Sequence, residues 1–441
     1  MQFNFDSLGI LYVVLTPLVL QPFLSCWICP NINDEIVSGY VDQEFSSVED
    51  TFRRNFGEGL ESDGAAFVVY HRGKRVVNLW GGYADAESER KWSHDTKTVL
   101  FSVTKAMASL VIGVLVDRGV LAYDDLVVDH WPAYGQFGKN GTTIEHVLSH
   151  MAGLPYLSEK LEIDDFKSGD FLRKIEQSTP AWEPGTATGY HAMTFGLLVD
   201  GIVRHADWKG RDIQTFFKEE IAVPNGLDMS IGMDRREAAF LPRISLPTFW
   251  HFFRDTVKNP KMLAMFVLMY GRNDEVLQKV KETPDWLLLN YDTMGLNNPE
   301  MVELPMAGAT GISSADHLAK LFSMVVQKEI ISNVTVGQLM QPTLDSWHYE
   351  KVVAWPVMKG HGFFYDKHPI IPGAYTFGHP GYGGQFLLVD PHLDLTFAYV
   401  SNGIKTGTGE LCATYMRLYR EVYAVMQNFY AKTPDTISIF S

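Results

Sequence analysis

The stretch Phe101-Ser102-Val103-Thr104-Lys105-Ala106-Met107 places a hydroxyl and an amine three residues apart at the head of an apolar segment. Downstream, Met107, Leu110, Val111, Val114 and Leu115 recur at three- and four-residue intervals as far as Gly119, which predicts an amphipathic helix closed by a glycine. Ser102 then falls in the first turn. Residues three apart share a helix face, so the Lys105 amine can approach the Ser102 oxygen, and both lie near the positive end of the helix dipole. A serine hydroxyl is a poor nucleophile until a neighbouring base takes its proton, and a desolvated lysine can be that base or tune one. A serine at a helix start also serves as an N-cap for orphan amides, and a tetrapeptide does not separate the two roles.

The flanking chain supplies the context. Upstream, Ser46 to Phe56 carries Val48, Phe52 and Phe56 at helical spacing; Ala65–Tyr70 and Arg75–Trp80 then read as a β-hairpin turned by His71-Arg72-Gly73-Lys74. Downstream, Thr143 is positioned to cap a short helix through His150. His146 and His150 stand four apart, but Val-Leu-Ser between them lacks the glutamate of a zinc protease, so they read as structural or hydrogen-bonding histidines and no metal is expected. Tyr190 follows a Trp-Glu-Pro-Gly turn and precedes the apolar run Phe195 to Val203, where a loop entering a helix can project a phenol into a cleft. An ordinary half-buried tyrosine has the same surroundings. Between Leu246 and Asn298 an aromatic- and methionine-rich segment predicts helices that are mostly core, with part of their surface available to a pocket wall or an interfacial lid. Ser313-Ser314 is poised to cap the helix through Leu318, Leu321 and Phe322. Finally, glycines crowd the start of the strand at Gln385, a place where another backbone or a ligand can approach closely, and Leu395–Val400 returns as its partner.

Composition bounds the rest. The 441 residues, 46% hydrophobic and 20% charged, suit a globular chain, and a net charge of −15 argues against nucleic acid. Leu8 to Cys29 is the one long apolar run, interrupted by Pro17, Gln21 and Pro22; the first 50 residues contain no Arg or Lys, so an Arg-rich mitochondrial presequence does not fit. Residues 1–30 are expected to act as a signal or anchor segment for the secretory pathway, with membrane association through residues 8–29. The alternative is a buried N-terminal core helix. Sequons at Asn140 and Asn333 are compatible with secretion. Cys26 and Cys29 lie in that segment and Cys412 stands alone in the body, so neither a disulfide framework nor a cysteine zinc site is implied.

Taken in order, LWGGYAD at Leu79, FSVTKAMASL at Phe101, VLSHMAGLP at Val147, EPGTATGYHAMTFG at Glu183, PMAGATGISSADHLA at Pro305 and FGHPGYGGQFLLVDP at Phe377 resemble the serine β-lactamase and penicillin-binding-protein family. The likeness is closest to its class C-like branch and the carboxylesterases built on it. The resemblance implies an α/β (α+β) fold of the β-lactamase/transpeptidase type, an antiparallel sheet flanked by helices. One catalytic domain over residues 46–430 would draw its sheet from about 46–120 and 300–430 and a mostly helical inserted region from about 121–300. It implies Ser102 as the acylated nucleophile, Lys105 as its proton-handling partner and Tyr190 as a phenolate-type base. The backbone N–H groups of Ser102 and Tyr382 would form the oxyanion hole, where losing one donor typically costs about 2.7–4 kcal/mol. His379 and Gly381 of His379-Pro380-Gly381 would stand where many β-lactamases carry Lys-Thr-Gly and bind substrate. Lys405-Thr406-Gly407 spells that triplet literally but falls after the strand ending at Val400, so position favours His379.

Two departures point away from lactam chemistry. The third position of the family's Tyr-x-Asn is Ala192, and the cation that would meet a β-lactam carboxylate is His379, an imidazole mostly neutral at pH 7. An uncharged ester or other acyl group fits these changes better, so the expectation is a metal-free, cofactor-free serine hydrolase of esterase type acting on a small-molecule acyl substrate. A catalytically idle structural or assembly member, and a peptidase or transacylase on the same fold, are the alternatives.

Overall fold

The hairpin that the sequence predicts seeds a sheet joining the two ends of the chain. The computed structural model describes residues 36–432, apart from 273, 283–293, 345–347, 354 and 356. The apolar run at 8–29, with Cys26 and Cys29, lies outside the described residues. One sheet contains eight strands: β1 (Val37–Val41), β2 (Ala65–His71), β3 (Lys74–Gly81), β4 (Met358–Gly360), β5 (Phe363–Lys367), β6 (Tyr375–Pro380), β7 (Phe386–Asp390) and β8 (Leu395–Ser401). Their order is β1-β3-β2-β8-β7-β6-β5-β4, and every pairing is antiparallel. Arg72 and Gly73, at φ 53° and 73°, turn β2 into β3 with the mirror-image geometry that matches strand twist. The join between chain ends is β2 with β8, in register Phe67↔Tyr399 and Val69↔Phe397. All seven β8 residues are buried, as a central strand covered on both faces requires.

One face of the sheet is covered by α1 (Ser46–Gly57) and the terminal helix Ala413–Lys432, whose Tyr415, Leu418 and Val422 pack with Phe52, Phe56, Phe67 and Phe397. The other face receives α2 (Thr104–Asp117), on which α3 (Thr194–Ala206) packs, and α4 (Ala315–Val326), for which Ser314 accepts the His317 N–H at 3.2 Å as the predicted cap. The expected two-faced character of α2 is not what is found: every residue from Thr104 to Leu115 is buried. The sheet side includes Ser109, whose Oγ donates to the Gly362 carbonyl at 3.1 Å between β4 and β5, while α3 covers α2 from another side.

The stretch between residues 121 and 300 is mostly helical, with a two-residue strand, Ser230–Ile231, joining Thr98–Val99 and Gly311–Ser313 in a small sheet beside the head of α2. Among its described residues the aromatic and methionine-rich segment includes the helices Phe249–Lys258, Pro260–Tyr270 and Glu275–Lys281, but it is less of a core than its composition suggests: Met262 and Leu277 are buried while Phe249, Leu263 and Val267 are exposed. The second of these helices is apolar on every side, and a helix lying on a surface can turn only part of itself inward.

Asn402, at the end of β8, ties these parts together. Its Oδ1 accepts from the Gly64 N–H at 2.8 Å, and its Nδ2 donates to the carbonyls of Ala84 and Arg243 at 3.0 and 2.9 Å. Replacing Asn402 by Ala strands buried backbone groups at a cost of about 1–3 kcal/mol. A lower urea midpoint with an unchanged m-value is the expected result.

Candidate active site

Ser102 lies not in the first α-helical turn but in a separate 3-10 turn, Phe101–Val103, immediately before α2. The turn exists because Phe101 takes a left-handed conformation, φ 49°, which costs a non-glycine residue about 1–2 kcal/mol. The surroundings hold it there. The Thr104 hydroxyl lies 2.5 Å from the Phe101 carbonyl oxygen and accepts the Gly311 N–H at 2.8 Å, while the Leu100 N–H donates to the Gly311 carbonyl at 2.8 Å. The result is a half-buried serine side chain presented at the junction of sheet and helices.

Lys105 has no exposed surface. Its Nζ lies 3.3 Å from Ser102 Oγ and 2.9 Å from the Gly308 carbonyl, and 5.0 Å above the centroid of the Tyr190 ring. Burial brings the amine down to about 7, half-neutral at physiological pH. The Gly308 carbonyl reaches it because α3 contributes Gly196 opposite; a Cβ at Gly196 would stand 2.3 Å from the Gly308 nitrogen. Burial pushes the Tyr190 phenol well above the ordinary value, and the neighbouring Ser102 side chain offsets only part of that rise. Around its ring stand His150, Phe364 and His379, with centroids at 4.8, 5.9 and 6.3 Å.

His379 reaches the site from β6, fully buried and stacked on Phe364. Its Nδ1 donates to the Pro380 carbonyl at 2.6 Å, which leaves Nε2 as a lone-pair acceptor with no hydrogen-bond partner among the described residues. Burial, reinforced by Lys105, takes this imidazole down to about 3. It is a neutral acceptor, not a substitute for a lysine cation. Gly381 follows, and a Cβ there would lie 2.7 Å from the Leu100 carbonyl oxygen, so only glycine lets β6 end against the Ser102 turn. Tyr382 begins the next 3-10 turn with its ring edge-on to Phe101 at 5.6 Å.

Ser102, Lys105, Tyr190, His379, Gly381 and Tyr382 are thus brought to one place. Lys405 is held elsewhere, paired with Glu61 at 2.7 Å. His146 completes a capping box with Thr143, and His150 accepts the His191 N–H at 3.1 Å, so both are hydrogen-bonding residues. His191 is itself buried, with Nε2 accepting the Leu154 N–H at 2.9 Å.

Sequence reasoning did not single out Gly308, His191, Glu350 or Lys359. The first two lie inside quoted motifs, and His191 adjoins Tyr190 in the chain, whereas Gly308 meets Lys105 only across 203 residues in the fold. Glu350 and Lys359 stand in a stretch without pattern, and nothing in it links them to Tyr190. Gly381→Ala is expected to push the strand end off the Leu100 carbonyl and, through a misplacement of about 1 Å, to slow reaction at Ser102 by about 10²-fold. Stopped-flow acylation with a chromogenic ester, alongside a melting curve that stays cooperative, measures this.

The comparisons with known proteins fall on this same framework. The Beta-lactamase family model matches residues 52–421. The esterase/beta-lactamase LipL of Mycobacterium tuberculosis (strain ATCC 25618 / H37Rv) is 35% identical over 387 residues, covering 83% of each protein. Esterase EstB of Burkholderia gladioli is 30% identical over 145 residues, 29% of this chain and 37% of that protein. Among solved structures, a family VIII carboxylesterase aligns over 88% of this chain and 99% of its own with a TM-score of 0.75 at 27% identity. A penicillin-binding protein homologue from Caulobacter crescentus aligns over the same shares with a TM-score of 0.73 at 28% identity. Since the likeness runs through nearly all of the folded chain, in sequence and in backbone alike, the protein belongs to the beta-lactamase family.

Proposed function

We propose that this protein is a serine hydrolase of esterase type that cleaves small, uncharged acyl esters through an acyl-enzyme on Ser102. The observation that carries the reading is the position of Ser102 Oγ, 3.3 Å from an amine that burial brings to about 7, with that amine lying over the ring of a phenol that burial keeps protonated. The names of the esterase relatives point the same way.

In the proposed cycle, neutral Lys105 accepts the Ser102 proton as Oγ bonds to the acyl carbon. The N–H groups of Ser102 and Tyr382 receive the developing oxyanion. Collapse breaks the ester C–O bond, Tyr190 gives its proton to the departing alkoxide, and the Lys105 ammonium restores the phenol. In deacylation a water loses a proton to Lys105 and adds to the acyl carbon; the Ser102 oxygen then leaves and takes a proton back through Tyr190. This assignment moves the first proton acceptor from Tyr190, the phenolate base that the family resemblance implied, to Lys105. The reason is electrostatic: the same burial that raises a phenol lowers an amine, so the free site favours the neutral form of both. Substrate preference follows from neutrality as well, because a buried, uncharged His379 offers no counter-charge for a carboxylate, and Ala192 offers no amide to a peptide-like side chain.

The secretory reading of residues 8–29 stands as a further proposal, supported by the exposed positions of Asn140 and Asn333 in their sequons. Mass spectrometry of the mature protein after a fluorophosphonate probe reads both questions together. The expected outcome is one adduct on Ser102, absent from Ser102→Ala, and a chain whose N-terminus and glycans record secretory passage; an adduct that persists in Ser102→Ala sinks the nucleophile assignment. The pH profile tests the base. Activity requires the neutral amine, so kcat/KM should fall about tenfold per unit as pH drops below about 7 and level off above it. A rise centred above pH 10 would return the role to the Tyr190 phenolate.

A further inference from the structure

Three consecutive amides carry Tyr190. The Gly189 N–H donates to the His150 carbonyl at 3.1 Å and the His191 N–H donates to His150 Nδ1 at 3.1 Å. Between them, the Tyr190 N–H donates to the Oε1 carboxylate oxygen of Glu350, 160 residues further along the chain. That carboxylate is fully committed. Its Oε1 also meets Lys359 Nζ at 3.2 Å, and its Oε2 accepts the N–H groups of Val352, at 2.7 Å, and Val353. Lys359 sits on β4 and donates as well to Thr188 Oγ1 at 3.0 Å, while Thr188 exchanges a backbone bond with Lys351 at 3.0 Å. The segment 188–190 is therefore clipped on one side by His150 and on the other by an ion pair whose two side chains are both 0% exposed.

An ion pair this dry adds little net stability over an apolar pair of the same size, because two desolvated charges offset their own attraction. What it does provide is direction: a carboxylate with all its lone pairs occupied has one orientation, and here that orientation fixes the Tyr190 backbone beneath Ser102. Lys359 also stands 5.9 Å from the centroid of Phe364, the ring on which His379 stacks, so one buried cation braces both walls of the site.

We propose that Glu350 and Lys359 form a positioning pair that holds Tyr190 in register with Ser102 for proton delivery to the leaving group. The inference rests on the hydrolase reading above and adds a specific consequence to it. If the pair acts through Tyr190, weakening it harms reactions that need a protonated leaving group and spares those that do not.

The test uses the full chain and two esters of one acyl group, an ethyl ester with a poor leaving group and a p-nitrophenyl ester with a good one. Tyr190→Phe sets the reference. Glu350→Gln keeps an acceptor for the Tyr190 N–H but removes the charge that orients it. It is expected to lower kcat/KM, which reads acylation and not the deacylation common to both, at least tenfold more on the ethyl ester than on the p-nitrophenyl ester. Fluorophosphonate labelling of Ser102, where fluoride leaves unprotonated, should stay within a few-fold of the wild-type rate. Equal losses on the two esters, or a wild-type ratio between them, overturn the proposal. Should Glu350→Gln fail to fold, Thr188→Val removes one Lys359 contact and leaves the ion pair: a smaller shift in the same direction supports the inference, and an unchanged ratio overturns it. A wild-type protein inert to both esters and to the probe would fail the hydrolase reading itself, before the pair is tested.

Discussion

A lysine amine with no access to water, at the head of the most deeply buried helix, is the constraint around which this structure is arranged. An ammonium in that position would need a partner or a solvent shell, and Lys105 instead meets the Ser102 hydroxyl, the Gly308 carbonyl and the face of Tyr190. Holding it there requires α2 to be covered on all sides, which the sheet alone cannot do. The inserted helices supply the second cover, and the tight Gly196–Gly308 approach brings the carbonyl in. The architecture of two interleaved parts is thus also the means of keeping one amine dry.

The same dryness makes the rest of the site neutral. His379 and His191 are each taken down to about 3, and His150 well below its ordinary value, chiefly by burial and then by the nearby lysines. Each uses a ring nitrogen for a hydrogen bond rather than for charge. The site therefore contrasts a neutral reaction face with a fully paired charge behind it, Lys359 with Glu350, where orientation matters more than field. Neutral walls are what an uncharged ester meets without penalty, whereas a carboxylate would lose hydration and gain no counter-ion.

Much of this was legible in the chain. The Arg72-Gly73 turn, the Thr143 and Ser314 caps and the β7–β8 pair each follow from local chemistry that tertiary context did not override. The strands β4, β5 and β6 were less visible for a physical reason. Lys359 interrupts the first, Asp366 and Lys367 end the second, and His379 with Pro380 closes the third, so polar residues stand where a buried strand would show an apolar run. The expectation of a two-faced α2 failed in the opposite sense: Ser109, which reads as a solvent-side residue, is buried and donates to the Gly362 carbonyl inside the fold.

By itself the sequence determined the serine, lysine, tyrosine and glycine-rich strand, their order along the chain and hence the family, because these depend on residue identity and spacing. It also put Ala192 and His379 at the positions where the resemblance implies an amide and a cation, which is the basis of the ester expectation. Only the tertiary structure sets the balance between amine and phenol on which the proposed choice of base rests. That choice depends on how much water reaches Lys105 and Tyr190, and desolvation is a property of everything packed around them. It likewise decided that Ser102 sits in its own turn before α2, because the left-handed Phe101 is held by Thr104 and Gly311, residues separated by 207 positions in the chain and joined only in the fold.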